Sequence, residues 1–175
     1  MTTPRIRPGG LRDLGPVNRL LTAVLARGAG VSEAHLFTTL GRHRRLFRVW
    51  LLYSGALMLG GRLPRRQTEL VILRVAHRCA SEYERRHHER LGARAGLTPA
   101  ELAAVRTDEA RWAPRDAALL QATDELLARG DLEDTTWARL RAHWDERQVI
   151  EWSLLVGQYR GLAETIRVLR IAPDR

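Results

Sequence analysis

The chain has no lysine and one cysteine, Cys79. A single thiol excludes an internal disulfide and any C-x-x-C redox pair. All 29 basic residues are arginine; against 20 acids they give a formal charge of +9. With so much alanine and leucine, an all-arginine bias points to a GC-rich genome more than to a binding function. The arginines are scattered and sit beside acids, as in Glu82, Glu84, Arg85 and Arg86. Aromatic residues make up 6% of the chain and do not interleave with the basic ones. No groove-reading pattern is present, so no nucleic-acid partner is expected. The sharpest basic cluster, Arg42 to Arg45, reads either as a solvated helix face or as a site for an anion. The longest uncharged run, Val49 to Gly61, is too short to cross a bilayer. The segment Met1 to Gly10 lacks the apolar core of a signal peptide, so a cytoplasmic protein without membrane contact is expected. No H-E-x-x-H pattern occurs, and neither a metal nor a cofactor is expected.

No strand-like alternation occurs either. Apolar residues recur at helical spacing, and capping and stop signals divide them into about eight helices, an all-α fold. The 175 residues suffice for one domain with a hydrophobic core. Residues 1–15 are expected to form a flexible arm and residues 16–172 a single helical domain. The segment Arg44 to Leu59 is apolar around most of its circumference, which predicts burial or a subunit interface.

The densest chemistry lies between Glu69 and Gly96. Glu69 sits near the start of an apolar helix, where a buried carboxylate needs a partner. A polar break follows, then S-E-Y-E-R-R-H-H. Ser81 and Glu84 have the S-x-x-E form of a capping box, predicting a helix from Ser81 to Ala95. On that helix Ser81, Glu84 and His88 share one face, and Tyr83 and His87 an adjacent one. Glu69 reads as a general base or as one arm of an ion pair with Arg66 or Arg74. His88 reads as a proton shuttle near neutral pH, with Glu84 four residues earlier holding the ring. Ser81 is a cap before it is a nucleophile. Tyr83 is placed to bind a substrate oxygen, Arg74 to neutralise a carboxylate, and His77 and His87 to line the same pocket.

The pieces L-P-R-R-Q-T-E-L-V-I-L-R-V-A, S-E-Y-E-R-R-H-H and A-G-L-T, with the tail D-E-R-Q-V-I-E-W-S-L-L-V-G-Q-Y, resemble the carboxymuconolactone decarboxylase and alkylhydroperoxidase D-like superfamily. The likeness runs from about Leu40 to Ile171. It implies an all-helical bundle assembled as a homo-oligomer, a trimer or a hexamer. In the peroxidase branch a glutamate, two cysteines and a histidine cooperate. The glutamate falls on Glu69 and the histidine on His88, while the cysteine positions fall on Ser81 and Glu84. Neither can replace an attacking or a resolving thiol, and Cys79 stands alone. The decarboxylase branch, which also lacks the cysteine pair, implies cofactor-free lyase chemistry on a small carboxylate or lactone, in catabolism or secondary metabolism. Two other readings stay open: a peroxidase relative working through Cys79, and a non-catalytic oligomeric scaffold of the same fold.

Overall fold

Proline and glycine punctuation sets several helix boundaries. A computed structural model describes residues 3–108 and 111–174. Among the described residues there are nine helices and no strand: α1 (Leu11–Ala29), α2 (His35–Leu40), α3 (Arg44–Leu59), α4 (Arg65–Arg78), α5 (Glu82–Arg94), α6 (Pro99–Ala104), α7 (Pro114–Arg129), α8 (Asp134–Arg141) and α9 (Glu146–Leu169). Pro99 and Pro114 open their helices in the first turn, and Gly130 ends α7 in the left-handed region. Pro64 is the N-cap of α4. Helix α1 begins at Leu11, inside the stretch expected to be an arm; Met1 and Thr2 of that arm lie outside the described residues. None of the helices is long and apolar enough to cross a membrane.

The chain contacts group into two units, residues 1–56 with 165–175 and residues 57–164. In the first unit, Pro16 cannot donate to the Arg12 carbonyl, and α1 kinks at Gly15 (φ 68°, ψ 172°). Arg44 takes up the freed groups, donating through Nη2 to Arg12 O and through Nε to Asp13 O at 2.6 and 2.9 Å. Arg42 pairs with Asp13 at 2.8 Å. Two arginines of the basic cluster are thus engaged in holding the start of α1. The apolar positions Val17, Leu20 and Val24 face outward, while Asn18 and Thr22 are buried. Asn18 is retained inside because its amide donates to Gly41 O at 3.0 Å.

In the second unit α4 is the central rod, buried from Thr68 to Ala76. Leu70 and Leu73 pack with Leu97, Val105 and Leu120. Two tryptophans find partners for their indole N–H: Trp152 donates to Thr123 Oγ1 at 2.9 Å and Trp144 to Arg115 O at 3.3 Å. Helix α4 ends in a Schellman turn, with Ala80 N–H donating to His77 O and Ser81 N–H to Ala76 O. The left-handed position of that turn is Ala80 (φ 51°), where glycine is the usual occupant. This turn feeds the chain directly into α5.

Candidate active site

Glu69 is fully buried in the apolar middle of α4. A lone carboxylate there is unfavourable by several kcal/mol, on the order of the desolvation of one ion. Two groups compensate. His88 Nδ1 lies 2.7 Å from Glu69 Oε2. Arg65, one helical turn before Glu69, makes an ion pair with Oε1. That second contact is charge against charge without hydrogen-bond alignment, since Oε1 accepts no hydrogen bond. Arg65 also donates to the Met58 carbonyl at 2.6 Å, and its side chain is 37% exposed, so it forms the solvent edge of the group. The expected ion pair of Glu69 with Arg66 or Arg74 is not formed; the (i, i−4) spacing of Arg65 puts it on the right face.

His88 belongs to the buried stripe of α5, with Glu84 and Gly92 at four-residue intervals. Its ring meets the Tyr159 ring edge-on at 5.1 Å. Tyr159 comes from α9, and its hydroxyl lies 3.3 Å from Met58 Sδ. Burial first, then the nearby Glu69 and Glu84 carboxylates, pushes the phenol well above its ordinary range, so it stays a neutral O–H donor.

Glu84 departs from expectation. It does not hold His88; Glu69 does. Both Glu84 oxygens are buried without a hydrogen-bond partner, and so is Ser81 Oγ. Ser81 is the N-cap of α5 but makes no capping bond. Burial raises the Glu84 carboxyl to about 7, and the neighbouring Ser81 hydroxyl opposes the rise. The acid therefore exists in both protonation states near neutral pH.

The structure thus brings Glu69, Ser81, Glu84 and His88 together and adds Tyr159, Arg65 and Met58. Tyr83 and His87 are half-buried at the margin, the His87 ring 5.7 Å from that of His88. Arg74 lies elsewhere. Its guanidinium is saturated by Asp124 at 2.7 Å, Asp108 at 2.6 Å and the carbonyls of Val105 and Thr107. An arginine so engaged cannot greet a substrate carboxylate, which corrects its expected role. His77 faces the same basic side: burial, then Arg74, Arg78 and Arg106, lower its pKa. Among the described residues no three His, Cys, Asp or Glu side chains are grouped to hold a metal. Cys79 is half-buried at the C-cap of α4. Arg65 and Tyr159 were both present in the motifs quoted above, but helical spacing alone could rank neither as a site residue.

Residues 44–125 match the model of the carboxymuconolactone decarboxylase family. Curated proteins yield no sequence match. The fold aligns with an alkylhydroperoxidase D core, a peroxidase-related protein from Ralstonia eutropha, at a TM-score of 0.87 and 18% identity, covering 99% of this chain and 93% of that one. A peroxidase-related protein from Silicibacter sp. aligns at 0.82 and 15% identity, over 99% and 95% of the two chains. A debrominase in complex with 2,3,4-tribromopyrrole aligns at 0.82 and 12% identity, over 98% and 92%.

Proposed function

We propose that the chain, whose residues 44–125 match the carboxymuconolactone decarboxylase family, is a member of that family and a cofactor-free acid–base enzyme acting on a small cyclic organic acid or lactone. The observation that carries this reading is the buried 2.7 Å contact between Glu69 Oε2 and His88 Nδ1. A carboxylate on Nδ1 fixes the tautomer, leaves Nε2 for proton exchange, and stabilises the imidazolium formed when Nε2 takes a proton. In a decarboxylation, the electron pair of the breaking C–C bond passes into the substrate as an enolate and carbon dioxide departs. The imidazolium, protonated from solvent, then gives that proton to the carbon and leaves His88 neutral. Tyr159 is a neutral donor beside the ring, and Glu84 is a second acid that titrates in the working range.

The test is turnover of a panel of carboxylated lactones, β-keto acids and 2,3,4-tribromopyrrole by wild type, Glu69→Gln and His88→Ala. Loss of activity by about a hundredfold or more in both variants is expected. Equal turnover by all three proteins removes the pair from the mechanism. A thiol-peroxidase cycle would have only Cys79 to work with and no resolving thiol. Peroxide consumption that is abolished in Cys79→Ser would favour that cycle. The active form in this reading is a homo-oligomer, supported by the outward apolar side chains of Val17, Leu20 and Val24 on α1 and Leu46, Val49 and Leu52 on α3. Sedimentation equilibrium that shows only monomer counts against it.

A further inference from the structure

Three polar atoms without partners lie within one turn of α5: Ser81 Oγ and both Glu84 carboxyl oxygens. The two side chains are 7% and 2% exposed. Buried polar atoms in native proteins are nearly always paired, so such a cluster calls for a partner from outside the chain. The Tyr159 phenol of α9 feels the charges of Glu69, Glu84 and Arg65 together, and His88 lies one turn after Glu84 on the buried stripe of α5. Arg65 is committed to Glu69 and Met58, and His88 to Glu69. Glu101, the acid of α6, is committed to Thr98 and Arg66. Glu84 is thus left without a counter-charge, a setting in which a carboxyl is held as its neutral, proton-donating form.

We propose that the first turn of α5 is an oxyanion site in which the Ser81 hydroxyl and the protonated Glu84 carboxyl donate to one anionic oxygen of a small organic acid or of the enolate formed from it. The positive end of a 13-residue helix adds to the attraction. This deepens the acid–base reading: the site needs a sink for developing negative charge, and Arg74 is not available to be it.

The experiment is isothermal titration of the full chain with benzoate, which is ionised throughout, and with its neutral analogue benzamide. It is run from about pH 5.5 to about pH 8.5 in buffers of differing ionisation heat. Benzoate affinity should fall about tenfold per pH unit above neutrality, with close to one proton taken up per benzoate bound. Glu84→Gln, whose amide still donates, should keep affinity within about threefold of the low-pH value and lose the proton uptake. Ser81→Ala should weaken benzoate binding by about fivefold at every pH. Benzamide binding as tight as benzoate, pH-independent benzoate affinity, or proton uptake that persists in Glu84→Gln and so comes from His88 would each overturn the proposal. No turnover is needed for this readout. Benzoate capture with proton uptake but no turnover of any substrate defeats only the enzymatic reading. Turnover with pH-flat benzoate binding defeats only the oxyanion site.

Discussion

At the start of α6, the Glu101 N–H donates to Thr98 Oγ1 at 3.2 Å while the Thr98 N–H donates to Glu101 Oε2 at 2.8 Å. At the start of α5, Ser81 and Glu84 stand in the same order and at the same spacing, and they exchange neither bond. Backbone direction is one reason. Thr98 is extended (φ −72°, ψ 158°), which aims its hydroxyl at the third helical amide. Ser81 follows the Schellman turn with its own N–H tied to Ala76 O, and its ψ of 87° turns the hydroxyl aside. Burial is the other reason. Thr98 is exposed, whereas Glu84 lies on the buried stripe of α5 with His88 and cannot swing back to the cap without leaving it. A third signature, Asp145 to Gln148, closes as at α6, with bonds of 2.9 and 3.0 Å. The same four-residue pattern therefore closes into a cap where solvent surrounds the helix start and stays open where the chain buries it.

The sharpest way to test this contrast is Glu84→Gln. Burial raises the folded-state acid from 4.5 to about 7. Its contribution to stability is therefore full below the unfolded value and is lost as pH rises through about 7. At pH 8 the glutamine variant should be more stable than wild type by on the order of 3 kcal/mol, an advantage that vanishes toward pH 4. Urea unfolding at the two pH values measures it, and parallel curves would mean Glu84 is not a buried acid.

Next in size, Thr98→Ala and Asp145→Ala should each lower stability by about 1 kcal/mol. Ser81→Ala should be neutral or slightly stabilising, because it removes a buried hydroxyl that bonds to nothing in the chain. Chemical unfolding midpoints at pH 7 compare the three, and an equal loss from Ser81→Ala would erase the contrast.

A smaller effect is expected at Ala80. Its positive φ strains any residue with a Cβ, so Ala80→Gly should raise the thermal midpoint, corresponding to roughly 0.5–1 kcal/mol. A fall in the midpoint would show that the turn at the end of α4 is not under that strain. The smallest effect belongs to Glu101→Gln. The Thr98 backbone N–H, aided by the Thr98 hydroxyl and Arg66, holds that carboxyl below its ordinary range. Its contribution is thus present above that range and is lost as pH falls. Being largely solvated, it should be worth only a few tenths of a kcal/mol, read as a small loss of stability at pH 7 that disappears near pH 3.

Much of the helix plan was legible. Arg44–Leu59 was bounded by its apolar run and the following glycine pair, and Glu69 and His88 were marked by a carboxylate on an apolar helix and an imidazole on the next. The roles of their neighbours were not. Arg65, Arg66 and Arg74 all lie within reach of Glu69 along the sequence. Which one turns toward it depends on Asp116 and Glu101 claiming Arg66 and on Asp108 and Asp124 claiming Arg74. The outward turn of Val17, Leu20 and Val24 was likewise hidden, because periodicity names the faces of a helix without saying which one is covered.

By itself the sequence determined the all-helical class and the lack of a redox cysteine pair, since residue type and spacing decide these locally. The tertiary structure decided that Tyr159 joins Glu69 and His88, that Arg74 leaves them, and that Ser81 and Glu84 remain uncapped. Each of those outcomes depends on partners 30 or more residues away or on which side of a helix is buried, and no local rule carries that information.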